Sequence, residues 1–226
     1  MTTATPEEAR TQIVNLVREF VRRDVEPEAA RLDREDVVPH DLIDKMKDLG
    51  LFGITVPEEY GGLGLDYTTF AAIFEEISKG FMGLTGPIGP HHVLTYVLTH
   101  FGTEEQKQRF LPDLAAGRIR GGLALTEPGG GSDVANLETS ADKDGEEYVL
   151  NGTKMFITNG RFGDAFCLLA RTDRTAKPHH RGISCFVVEK GGPGFNVVRD
   201  LDKLGYRGID TCELNFEDYR IPAENL

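Results

Sequence analysis

The stretch Gly122–Asp133, GLALTEPGGGSD, decides how the chain is read. It opens as a short apolar strand, Leu123-Ala124-Leu125, and breaks at Thr126-Glu127-Pro128. It then runs through Gly129, Gly130 and Gly131 into Ser132 and Asp133. Glycine carries no Cβ and tolerates positive φ, so such a backbone can come close to a ligand. A strand that delivers a hydroxyl and a run of glycine amides to one place can bind an anion or the polar edge of a planar ring. The residues alone also fit an ordinary glycine-rich loop with a proline turn.

On either side of this stretch the hydrophobic period differs. Upstream, Thr5-Pro6-Glu7-Glu8 predicts a helix start, with Thr5 as N-cap and Glu8 closing a capping box. Ile13, Leu16, Val17, Phe20 and Val21 follow the spacing of one buried helical face. Leu42, Ile43, Met46 and Leu49 form a second stripe, ended by Gly50. Phe70, Ile73, Phe74 and Ile77 form a third, after Asp66. Thr103 to Gln106 reads as another capping box before Phe110, Leu111 and Leu114. Residues 83–101 predict a helix beyond Pro90. Downstream, Asp144-Gly145 and Asn151-Gly152 read as hairpin turns around Tyr148-Val149-Leu150. Short β-prone runs follow at 166–170, 183–188, 195–198 and 212–216. The expectation is an α+β protein: an N-terminal all-α helical bundle over residues 1–120, then a β-sandwich or barrel over 121–226.

The chain has 226 residues and a formal net charge of −12. That charge argues against a nucleic-acid binder, since neutralising phosphates needs a basic surface. No apolar run reaches membrane-spanning length. Cys167, Cys185 and Cys212 show no metal spacing and no CxxC pair, so free thiols in a reducing compartment are expected. The acidic start of the chain, MTTATPEEAR, has no apolar run of the secretory type, and a cytoplasmic location is expected.

Four segments, in order, resemble the acyl-CoA dehydrogenase family: VPEEYGGLGLDY (56–67), ALTEPGGGSD (124–133), NGTKMFITNG (151–160) and LGYRGIDTCELNFEDYRIP (204–222). The family's fold is a helical domain, a middle β-domain and a C-terminal helical domain, the last expected to be absent from this chain. The resemblance implies an FAD-dependent acyl-CoA dehydrogenase of fatty-acid and lipid metabolism. In such an enzyme a glutamate takes a proton from Cα and FAD takes a hydride from Cβ. Electrons then pass to an electron-transfer flavoprotein, and the full-length proteins are homo-oligomers, dimers or tetramers.

By that resemblance the FAD-binding residues are Leu123, Leu125, Thr126, Gly131, Ser132, Phe156, Ile157 and Thr158. Leu125 and Thr126 face the flavin's pyrimidine edge. Phe156 stands where the family often has tryptophan, and Thr158 lies near N5. Ser132 is also expected to reach the CoA portion of the substrate. No glutamate in the chain matches the family's base, so no catalytic residue is assigned. Lys177, His179, His180 and Arg181 form a basic cluster in an acidic chain, read either as a field for CoA phosphates or as a solvated loop. His91 and His92 receive no role. A flavin oxidase or monooxygenase of the same fold, or a non-catalytic subunit completed by a partner, are the alternatives.

Overall fold

The computed structural model describes residues 6–226, so the expected N-cap at Thr5 and its capping box lie outside the described residues. The chain divides into two compact units. One is Met1–Arg118 with Lys203–Ile209, and the other is Ile119–Asp202 with Asp210–Leu226. Residues 203–209, which the sequence places in the β half, therefore belong to the helical unit. There the Gly208 amide donates to Asp36 Oδ1 at 2.7 Å.

The helical unit contains α1 (Pro6–Phe20), α2 (Glu26–Glu35), α3 (His40–Asp48), α4 (Tyr67–Phe81), α5 (Gly89–Phe101) and α6 (Glu104–Ala115). Its caps form as the side chains dictate. The Asp66 carboxylate accepts from the Thr69 amide, and Thr103 and Gln106 complete a reciprocal capping box. Gly50, with φ +72, follows the end of α3.

Between α1 and α2 the helix widens into one π turn, Val21–Val25, where the Glu26 amide donates to Val21 O. Pro27 follows and has no N–H to continue the ordinary ladder. The wide turn keeps Val21 and Val25 in the core with Val17 and Phe20. Leu16 departs from the expected stripe and is half exposed, because Ile13, Val14 and Val17 take the inward face. Each large side chain fully buried here contributes about 1.5–3 kcal/mol.

The second unit is one seven-stranded sheet of β1 (Gly121–Ala124), β2 (Ser140–Asp144), β3 (Glu147–Thr158), β4 (Ala165–Arg171), β5 (Ile183–Glu189), β6 (Phe195–Asp200) and β7 (Thr211–Pro222). The path runs β1-β4-β2-β3-β7-β6, with β5 on the other edge of β4. The sheet curls so that strands distant on this path touch: the Tyr219 hydroxyl of β7 donates to Glu189 O of β5 at 2.6 Å. Phe166, Leu168, Phe186, Leu214 and Phe216 fill the inside of the curl.

Asp144-Gly145 forms the expected hairpin between β2 and β3. Asn151-Gly152 does not: it lies inside β3 as a register shift opposite β7. Gly152 has φ +148, and a Cβ there would lie 2.6 Å from Thr139 Oγ1. The dipeptide marks a close backbone approach within a strand rather than a turn. Among the described residues no helix is long and apolar enough to cross a membrane.

Candidate functional site

The glycine-rich stretch is built on the end of β1. After Ala124 the chain leaves the sheet, and residues 127 and 130 close on each other. The Glu127 amide donates to Gly130 O at 3.0 Å, and the Gly130 amide donates back at 3.1 Å. None of Gly129, Gly130 and Gly131 is among the glycines with positive φ. The absence of a Cβ matters most at Gly131, where one would lie 3.1 Å from Thr126 Cγ2 and 3.3 Å from its hydroxyl. Gly129 and Gly130 would meet nothing and face solvent.

The neighbouring wall is the end of β3, whose register with β7 shifts between Lys154 and Ile157. Strict alternation would place Phe156 on the same face as buried Lys154 and send Ile157 outward. The bulge reverses this. Ile157 is 1% exposed in the core, while Phe156 takes φ +60 and is 64% exposed. Bulges re-aim side chains in this way beside functional sites. A left-handed conformation costs a phenylalanine about 1–2 kcal/mol. An exposed, strained aromatic is an observation that points toward function.

Hydrogen bonds join these walls. The Met155 amide donates to Thr126 O at 2.7 Å, and Asn159 Nδ2 donates to Gly121 O at 2.7 Å. Asn159 is itself fully buried with φ +64. Among the described residues the Thr126 amide and hydroxyl, and the Thr158 hydroxyl, have no hydrogen-bond partner. Free donors and an exposed ring therefore sit along one seam.

The structure thus brings together Thr126, Gly131, Phe156 and Thr158. Leu123 and Leu125 are half-buried at the strand end, and Ser132 is exposed on the loop. Ile157 turns its side chain inward, so only its backbone is open to a ligand.

Sequence reasoning missed what lies beneath the loop. Lys154, fully buried, donates from Nζ to Glu127 Oε1 at 2.8 Å and to Leu125 O at 3.1 Å. Glu127 also accepts from the Glu138 and Thr139 amides, at 2.5 and 2.9 Å. Burial raises the Glu127 pKa, but the Glu138, Lys154 and Thr139 donors outweigh it and hold the carboxyl below its usual range. Burial lowers the Lys154 pKa, opposed by the bond to and charge of Glu127. Each member keeps the other ionised. A signal existed: a lysine in the inward phase of a strand, with a glutamate in the neighbouring motif.

The basic cluster forms an exposed loop after β4, held from below by Arg171. That guanidinium donates to His179 O at 3.1 Å, to Ala135 O at 2.7 Å and to Leu137 O at 3.1 Å. A cavity of about 330 Å³ opens beside it, lined by Asn136, Leu137, Glu138, Arg171, Arg174 and His179. His91 and His92 are buried in α5, one bonded to Phe52 O and the other to Ile88 O. The cysteines are free thiols, and Cys167 and Cys185 lie 3.3 Å apart across β4 and β5.

Comparison with known proteins places this geometry. Residues 7–118 match the acyl-CoA dehydrogenase N-terminal domain, and residues 122–219 match the middle domain of that family. A mitochondrial isovaleryl-CoA dehydrogenase from Pongo abelii is 42% identical over 97% of this chain and 52% of its own length. A crystal structure of an acyl-CoA dehydrogenase from Geobacillus kaustophilus superposes with a TM-score of 0.91 at 41% identity, over 97% of this chain and 58% of that one. A structure from work on the electron transferring flavoprotein of Acidaminococcus fermentans gives a TM-score of 0.90 at 38% identity, over all of this chain and 59% of that one. The chain spans about half the length of the curated relatives it matches. With both domain matches in sequence order and the seam lying where β1 and β3 meet, the chain belongs to the acyl-CoA dehydrogenase family.

Proposed function

We propose that this chain supplies the helical and β units of an FAD-dependent acyl-CoA dehydrogenase. The reaction removes hydrogen across the α,β carbons of an acyl-CoA thioester to give the 2-enoyl-CoA, and an electron-transferring flavoprotein takes the electrons. The observation that carries this reading is the bulge in β3. It uses conformational strain to turn one aromatic ring outward, beside donors that have no partner among the described residues.

The donor set fits a flavin. Thr126 and Thr158 offer uncharged donors, and the Glu127 carboxylate next to Thr126 is tied down beneath the loop by Lys154. FAD, when bound, supplies the two-electron acceptor. Thr126 holds the pyrimidine edge of its ring, where fixed donors stabilise added negative charge without reorganising. Phe156 offers an aromatic face, and Thr158 offers a hydroxyl. Leu123, Leu125 and the Ile157 backbone complete the wall. Gly131 and Ser132 follow the cofactor chain, and Ser132 also meets the CoA portion. Lys177, His179, His180 and Arg181 attract the CoA phosphates by local field. No residue of the chain is assigned as the base.

The name of the Pongo relative makes a short branched acyl group the first to test. The free thiols fit a cytoplasmic setting, and the whole protein is read as a homo-oligomer. The deciding experiment is a titration of the purified chain with FAD, followed by flavin absorbance and fluorescence. Bound, quenched flavin is expected, with affinity falling in Thr126→Val and Thr158→Val. A colourless chain that ignores FAD overturns the flavin reading. If FAD-loaded protein given an acyl-CoA consumes oxygen rapidly with no other acceptor, the reading becomes an oxidase of the same fold.

A further inference from the structure

Lys154 is the least economical residue of the second unit. Removing an ammonium from water costs several kcal/mol, and a buried ion pair seldom stabilises more than an apolar pair of the same size. Closing the loop does not require the charge, since residues 127 and 130 already close it through two backbone bonds. The ammonium does something further: it donates to Leu125 O at 3.1 Å.

Leu125 O and the Thr126 amide are the two ends of one peptide group. A cation bonded to the oxygen draws electron density through the amide and leaves the N–H more positive, the cooperative strengthening expected of hydrogen-bond chains in low dielectric. The Thr126 N–H is one of the donors left without a partner among the described residues. On its other side Thr126 is pinned by the Met155 amide at 2.7 Å. Glu127 completes the arrangement. Its carboxylate accepts from two backbone amides and from Lys154, so it orients the ammonium while keeping its own charge occupied.

We propose that Lys154, oriented by Glu127, is a positioning residue that polarises the Leu125–Thr126 peptide and so sharpens the Thr126 amide as a donor to an electron-rich ring edge. The identity of that ring as a flavin rests on the proposed function, whereas the polarisation does not.

The test uses the chain itself, labelled with ¹⁵N and ¹³C, and the paired variant Lys154→Gln with Glu127→Gln. The pair keeps polar donors and acceptors in both places and leaves no lone buried charge. The Thr126 amide proton is expected to move upfield by more than any other amide of residues 122–133, and Lys154→Arg alone is expected to keep it near its parent position. In the parent chain the Leu125 carbonyl carbon is expected downfield of those of Leu123 and Ala124, a reading that needs no variant to fold. FAD affinity, measured by flavin fluorescence, is expected to fall about tenfold in the paired variant, a change of about 1.4 kcal/mol. An unmoved Thr126 amide in a folded paired variant, or an unshifted Leu125 carbonyl in the parent, overturns the polarisation. A chain that shows both shifts yet binds no FAD supports the polarisation and overturns only the flavin reading.

Discussion

The two units handle charge in opposite ways. In the helical unit Glu76 pairs with Arg18 and Lys79, and both cations are more than half exposed. The most deeply buried ionisable group there that shows a clear shift, His92, is held uncharged, its pKa lowered to about 4 by burial. In the β unit a complete Lys–Glu pair is buried under a solvent-facing loop. The helical unit spreads its departures from local rules over the π turn at Val21–Val25 and the left-handed Asp36 and Tyr206, whereas the β unit gathers several within a few residues: a buried lysine, a bulge, a left-handed phenylalanine and a left-handed buried asparagine. Departures of this kind cluster where structure serves a site.

The contrast can be broken most directly at the buried pair. Lys154→Met alone leaves an uncompensated carboxylate, and a loss of about 3–5 kcal/mol is expected from urea unfolding followed by a β-unit probe. Adding Glu127→Gln, whose amide oxygen still accepts from a backbone amide of residues 138–139, should recover most of it. If the single substitution costs no more than the surface change Arg18→Ala, the contrast between the units fails.

His92 tests the other side. Its folded pKa of about 4 lies below the usual 6.5, so its contribution is full above about 6.5 and is lost as pH falls towards 4. The helical unit should weaken by on the order of 3 kcal/mol across that window, and His92→Gln should flatten it. Glu76, depressed from 4.5 to about 2, adds a second loss in the same direction between those values. Thermal melts across pH resolve the two steps. A melting curve with no slope between pH 6.5 and 4 rules out the buried neutral histidine.

Gly122→Ala sharpens the account of the seam. Its Cβ would lie 2.6 Å from the Phe166 ring and 3.0 Å from Thr158 O, and about 1–3 kcal/mol of destabilisation is expected. Gly130→Ala, which meets nothing, serves as the near-neutral control. Phe156→Asn is the smallest effect. Relief of the left-handed phenylalanine should stabilise the flavin-free β unit by up to about 1 kcal/mol, while FAD binding weakens. Unchanged stability would show that the φ of +60 carries no strain.

Much of the helical unit was legible because its signals are local. A 3.6-residue period and a capping box at Thr103–Gln106 act within one or two turns. The exposed Leu16 and the π turn before Pro27 escaped because both depend on how neighbouring helices compete for the core. In the β unit the strands were legible, but Asn151-Gly152 was misread as a hairpin turn. Whether that dipeptide turns or bulges is settled by the approach of Thr139, which is beside it in the sheet but not in its stretch of chain.

The sequence by itself determined the order of helices and strands, the glycine loop after β1, and the threonines and phenylalanine set beside it. Tertiary structure alone decided that Glu127 and Lys154, twenty-seven residues apart, form one buried pair, and that Phe156 faces out while Ile157 faces in. The reason is physical. Period and capping are carried by residues close along the chain, whereas the partner of a buried charge and the phase of a strand beyond a bulge are fixed only when the strands are in register.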